Sequence, residues 1–170
     1  KYVPAAGASS GGSVIQQIDK KLLIIGNLNV SDSSTLIAKK MGQTPWSYYK
    51  TIGKAGLRMA TASAGNAALK TLIQEIQTLK TASGSDKFVP DAYIIATGAT
   101  DALLGLDKEA LKSLIKLVMV EIGSKPTYWI DSYSASTNVD ISQSTIFNQA
   151  LEELRPSYPN ILINSSTLNW

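Results

Sequence analysis

Five short apolar runs, separated by stretches with helical spacing, constrain this chain more than anything else in it. They are Lys21–Gly26 (KLLIIG), Trp46–Ile52 (WSYYKTI), Ala92–Thr97 (AYIIAT), Thr127–Ser132 (TYWIDS) and Ile161–Asn164 (ILIN). Continuous apolar runs of this length read as strands buried on both faces, the habit of a parallel sheet. Between them lie helix signals. Thr35–Met41 reads as a short helix closed by Gly42. Leu69, Leu72, Ile73, Ile76 and Leu79 recur at spacings of three and four. Asp107 can cap a helix whose apolar face is Leu111, Leu114, Ile115, Val118 and Ile122, ended by Gly123. Ser142–Leu154 forms a last helix with Phe147, Leu151 and Leu154 facing inward. Alternating strands and helices imply right-handed crossovers. The expected fold is therefore α/β, a three-layer sandwich around a five-stranded parallel sheet in order 2-1-3-4-5.

At 170 residues the chain is expected to form one domain over residues 15–170. Residues 1–14 (KYVPAAGASSGGSV) are rich in Gly, Ser, Ala and Pro and read as an arm, flexible or docked on a partner. Tyr2 and Val3 are its sizeable apolar anchors, too few to hold it against its own domain. The start at Lys1, with no Met and no signal-peptide pattern, suggests a processed protein or a piece of a larger one.

Composition narrows the function classes. The net charge is +3, and the sixteen Lys and Arg are scattered, with pairs at Lys20-Lys21 and Lys39-Lys40 the longest basic runs. Nucleic-acid binding needs a clustered basic face, so none is expected. No apolar run approaches the ~18 residues of a membrane span. The chain has no Cys, which removes disulfides and thiolate chemistry, and no His. A Ser-His-Asp mechanism needs an imidazole to take the serine proton and return it to the leaving group. No such triad can be assembled within these residues.

In an open α/β sheet, ligands bind beyond the C-terminal ends of the strands. The loops there are Asn27–Ser34, Gly53–Gly65, Gly98–Gly105 and Ser132–Asp140. The candidate binding rim on them is Asn27, Asn29, Asp32, Arg58, Thr100, Asp101, Tyr133 and Asn138. Amides and hydroxyls of this kind suit sugar hydroxyls or backbone amides better than phosphates. Neither GxGxxG nor the phosphate-loop pattern occurs, and no cofactor is expected. The rim carboxylates are Asp32, Asp101, Asp131 and Asp140, better read as caps than as metal ligands.

The order of segments over residues 21–170 resembles the SGNH/GDSL hydrolase family, whose fold is a flavodoxin-like sandwich. In that family the first strand ends in a Gly-Asp-Ser turn carrying the nucleophile. A Gly follows the second strand, a Gly-x-Asn-Asp turn follows the third, and an Asp-x-x-His segment lies near the C-terminus. Here Gly26-Asn27-Leu28 stands in the first place, Gly56 in the second, and Gly98-Ala99-Thr100-Asp101 in the third. Phe147–Leu151 and Tyr158–Ile161 are similar to the last helix and strand of members close to cell-wall O-acetyl esterases and acetyltransferases. No motif is intact. A displaced alignment would make Ser33, in Ser31-Asp32-Ser33-Ser34, the nucleophile, still without a base.

What the resemblance implies is a degenerate site at Asn27, Leu28, Gly56 and Thr100, with no catalytic residue. The expected role is a non-catalytic surface or virion module for binding or assembly, with a glycan or protein partner, in an extracellular or cell-surface location. Two alternatives stand beside it. One is an active esterase or O-acetyltransferase whose His comes from outside residues 1–170. The other is a structural subunit that makes contacts through the arm and the surface aromatics Tyr2, Trp46, Tyr48 and Trp170.

Overall fold

The computed structural model describes residues 18–60, 69–130 and 138–164. Five strands form one all-parallel sheet in the order β2-β1-β3-β4-β5. They are β1 (Ile18–Gly26), β2 (Trp46–Gly53), β3 (Ala92–Ala96), β4 (Thr127–Ile130) and β5 (Ile161–Asn164). The helices are α1 (Leu28–Asp32), α2 (Ser34–Met41), α3 (Leu72–Thr81), α4 (Ala99–Leu103), α5 (Lys108–Ile122) and α6 (Asn138–Leu154). The strand order and the parallel pairing are as the sequence predicts.

The direction of each crossover decides which face its helix covers. From β1 the chain moves outward to the edge strand β2, then turns back past β1 to β3 and on to β4 and β5. Right-handed crossovers put the first connection on one face and the other three on the opposite face. Two cores result. Leu23, Ile25, Tyr93, Ile95, Trp129 and Ile161 point to the face of α3, α5 and α6 and share the larger core with Ile76, Ile115 and Leu151. Leu22, Ile24 and Ala92 point the other way, where Val30 of α1 and Met41 of α2 cover them.

Local chemistry explains the helix ends. Thr71 and Gln74 form a reciprocal capping box at α3, the Thr71 side chain accepting from the Gln74 N–H and the Gln74 side chain from the Thr71 N–H. Asp107 caps α5 by accepting the Ala110 N–H at 2.8 Å, as predicted. Gly123 ends α5 with φ +67°.

Several boundaries differ from the sequence reading. Asn27–Ser34, read as a polar loop, is instead a cap followed by α1 and the start of α2. Its residues lack an apolar period, but Asn27 caps the turn and Val30 docks on the sheet. Leu69 precedes α3 rather than lying on it. The last helix begins at Asn138, four residues before the predicted start. A 3₁₀ turn, Gly84–Asp86, lies between α3 and β3. The arm at residues 1–14, with Tyr2, and the terminal Trp170 lie outside the described residues. Of the other two aromatics, Tyr48 is exposed and Trp46 half-buried.

Candidate functional site

The sheet register brings the ends of three strands side by side. Gly26 is paired with Gly53 on one flank and Ala96 on the other. Backbone bonds carry the pairing one step further. The Asn27 N–H donates to the Ala96 carbonyl at 3.1 Å, and the Lys54 N–H to the Gly26 carbonyl at 3.0 Å. The first two glycines here are steric necessities. A Cβ on Gly26 would lie 2.5 Å from the Ala96 carbonyl oxygen, and one on Gly53 would lie 2.2 Å from the Ser31 backbone nitrogen. Short helix α1 therefore packs directly on the end of β2.

Asn27 is the N-cap of α1, and its Oδ1 accepts the Asn29 N–H at 3.2 Å. That is ordinary capping work. Leu28 is the first residue of the helix, at the place where the resemblance puts a nucleophile. Asn29 and Asp32 are exposed, and Ser33, half-buried, joins α1 to α2. Gly56 lies in the turn after β2 with φ +72°, exposed. Thr100 lies in the first turn of α4, half-buried.

Two predicted rim residues, Asp101 and Arg58, lie beside each other. Asp101 is fully buried, and its Oδ2 accepts the Met59 N–H at 3.0 Å. Its Oδ1 lies 3.7 Å from Arg58 Nε. Burial pushes the Asp101 carboxyl above its ordinary value of 3.8, against the opposing pull of the Met59 N–H and the Arg58 charge. Arg58 itself is half-buried. The pair ties the loop after β2 to α4 and is a structural strap. An acidic residue following a glycine turn reads equally well as exposed in sequence, because only packing reveals which way it points. Tyr133, Asp131 and residues 61–68 lie outside the described residues, and Asn138 is placed only as the start of α6.

Sequence reasoning missed Thr97 as a hub. Its hydroxyl donates to the Leu57 carbonyl at 2.9 Å, and its own carbonyl accepts the Trp129 indole N–H at 2.9 Å. The loop after β2 and the side chain of Trp129 on β4 are both tied to the end of β3 through this one residue. A threonine closing an apolar strand was the available signal. Next to it, Gly98 has φ +127°, and a Cβ there would lie 2.0 Å from the Phe147 ring. This close approach seats α6 under the β3–α4 turn. At the end of β2, Lys54 pairs with the buried Glu75 of α3.

Below Asn27 a trough of about 490 Å³ runs between α2 and the sheet. Asn27, Asn29, Ser33 and Thr97 supply polar groups to its lining, and Lys40 a charged one. The rest of the lining is apolar. The arrangement offers amides and hydroxyls for binding. For acyl transfer it offers no imidazole among the described residues. No helix among the described residues is long and apolar enough to cross a membrane.

No protein-family model matches the sequence, and no curated protein matches it significantly. Solved structures do match. The esterase AlinE4, of the SGNH-hydrolase family, superposes with a TM-score of 0.58 at 15% identity, over 87% of this chain and 76% of that one. This is the SGNH/GDSL hydrolase fold. A member of the lipolytic G-D-S-L family from Veillonella parvula gives a TM-score of 0.60 at 10% identity, covering 84% of this chain and 75% of the other. The catalytic domain of peptidoglycan O-acetyltransferase A from Streptococcus pneumoniae gives 0.58 at 14% identity, covering 88% and 69%. At these identities the similarity establishes the SGNH architecture and leaves the chemistry to be argued from the residues.

Proposed function

We propose that this chain is a non-catalytic SGNH-fold module that binds or assembles at a cell or virion surface. One observation carries the reading: Leu28 begins the helix that follows β1, in a chain of 170 residues without a histidine. A leucine side chain has no lone pair to attack a carbonyl. Donors that stabilise an oxyanion have nothing to act on without a nucleophile and a base. Asp101 cannot serve as that base, because it is sealed from solvent and bonded to Met59.

What remains at the strand ends is suited to recognition. Asn29 is exposed, and Asn27, Ser33 and Thr100 are partly accessible, so carboxamides and hydroxyls are presented without a strong charge. Groups of this kind hydrogen-bond to sugar hydroxyls or to peptide backbone. A glycan or a protein surface is the partner this chemistry favours. The surface location rests on one neighbour, a peptidoglycan-modifying enzyme, and on the polar, Cys-free composition.

The test is turnover of aryl acetates by the parent chain, Ser33→Ala and Leu28→Ser. All three are expected to stay at background, because a restored serine still lacks a base, and general-base assistance alone is worth about 10²–10⁴ in rate. Turnover by the parent that Ser33→Ala abolishes would overturn the reading in favour of the displaced alignment. Binding is tested separately on an array of bacterial cell-wall and capsular glycans, where Asn29→Ala should weaken any captured ligand.

A further inference from the structure

Strand β2 ends the sheet on one side, and among the described residues no strand pairs with its outer edge. It is eight residues long, where β5 at the other edge has four. A long edge is a template for a further strand, and monomeric proteins blunt such edges with proline, a bulge or several charges. Residues 48–53 are not blunted in this way. Their pairing with β1 runs unbroken from Lys21 with Tyr48 to Gly26 with Gly53, and Lys50 is the single charged residue of the strand. Tyr48 is 52% exposed and Tyr49 38%. The register also tells which backbone groups point outward. The Lys54 N–H donates to the Gly26 carbonyl of β1, so the backbone at residue 54 faces inward. Backbone direction alternates along a strand. Lys50 and Ile52 therefore face β1 as well, and Ser47, Tyr49 and Thr51 turn their N–H and C=O groups outward, with Tyr49 in the middle.

We infer that the outer edge of β2 takes a second copy of this chain. The two β2 strands pair antiparallel about a two-fold axis at Tyr49, and the two five-stranded sheets join into one. The backbone permits this register. Residues that face each other in a narrow antiparallel pair exchange both of their hydrogen bonds. With the axis at Tyr49, Tyr49 meets Tyr49 of the partner subunit, and Ser47 meets Thr51 of the partner subunit. Each of these turns its backbone outward, and together they make about six hydrogen bonds. Any extended segment could meet the backbone, and the side chains are what select a second copy. Tyr48 lies opposite Lys50 of the partner subunit, once on each side of the axis. Both belong to the sheet face of Lys21 and Leu23. Across β1 the neighbour of Lys50 is Leu23, which offers it no opposite charge. The partner's Tyr48 supplies an exposed aromatic ring for that cation. On the other face the two Tyr49 rings form an aromatic pair. An axis at Lys50 would instead oppose two lysines and two inward-facing backbones. The inference does not depend on whether the strand-end site binds a ligand.

The test is sedimentation of the full chain at micromolar concentrations, with thermal melting to confirm that each variant folds. The parent should sediment as a dimer. Tyr48→Lys sets like charges opposite each other at two places and should weaken the dimer about tenfold. Adding Lys50→Glu makes both pairs attractive and should restore the dimer, which a purely local effect of either change would not do. Register is read by oxidation, because the chain has no cysteine of its own. The Cα atoms of a narrow antiparallel pair lie about 5.5 Å apart, within disulfide reach, so Tyr49→Cys should cross-link to its own copy. Thr51→Cys should not, because the two copies of that position are about 14 Å apart. Two outcomes overturn the inference. One is a parent chain that stays monomeric over that range. The other is a dimer that Tyr48→Lys leaves intact, or in which Tyr49→Cys cross-links no more than Thr51→Cys, which would put the contact on another surface.

Discussion

Asp101 accepts the Met59 N–H through Oδ2 at 3.0 Å, and neither residue is exposed. This one bond joins the loop after β2 to the helix after β3. Removing the carboxylate leaves a buried N–H without its acceptor. Asp101→Ala should lower stability by about 1–3 kcal/mol in denaturant unfolding, with faster amide exchange at residues 57–60. An unchanged midpoint would mean the strap carries no load.

The same carboxyl makes stability depend on pH. Burial raises its folded-state value above the ordinary 3.8, so folding favours the neutral acid. Its favourable contribution is complete below that ordinary value and is lost as pH rises through the raised folded value. Asp101→Asn keeps an oxygen for the Met59 N–H and cannot ionise. The stability deficit of this variant should therefore shrink as pH rises through that window. Thermal midpoints of parent and variant, measured in steps from about pH 3 to neutrality, check the sign.

Gly98 and Phe147 occupy one space. A methyl at residue 98 would need the ring of Phe147 to move, and the backbone at φ +127° disfavours any side chain. Gly98→Ala should cost roughly 2–5 kcal/mol. Phe147→Leu should recover part of that loss in the double variant. Strict additivity of the two changes would show that the strain is in the backbone alone.

Thr97 links Leu57 and Trp129 through buried bonds of 2.9 Å each. Thr97→Val keeps the volume and removes the hydroxyl, leaving the Leu57 carbonyl unpaired. The expected loss is about 1–2 kcal/mol. Trp129→Phe should show a comparable polar penalty at the Thr97 carbonyl, together with a cavity term. Urea titrations of both variants test this.

The exposed cluster on α5 and α6 should behave differently. Lys108 and Lys112 both bond to Glu153, and these contacts hold the Glu153 carboxyl below the usual carboxylate range. A lowered value contributes stability that is present above the unfolded value and lost as pH falls. Solvent screening keeps it small. Glu153→Gln should shift the thermal midpoint less than Asp101→Ala does, and about 0.5 M salt should remove the difference.

Much of the SGNH fold was legible in the chain because its main signals are local. Apolar runs such as Leu22–Ile25 and Ala92–Ala96 announce two-sided burial, and the stripe Leu111, Ile115, Val118, Ile122 announces a helix packed on them. Asp107 and Gly123 mark that helix's ends with chemistry that acts over three or four residues. The lack of histidine among residues 1–170 was equally plain, since a residue type absent from the sequence cannot appear in its sites. What only the tertiary structure decided depends on contacts between distant segments. Asn27–Ser34 became helical because Val30 found the sheet and Gly53 left room for α1. Asp101 turned inward because Met59, 42 residues away, offered it an N–H.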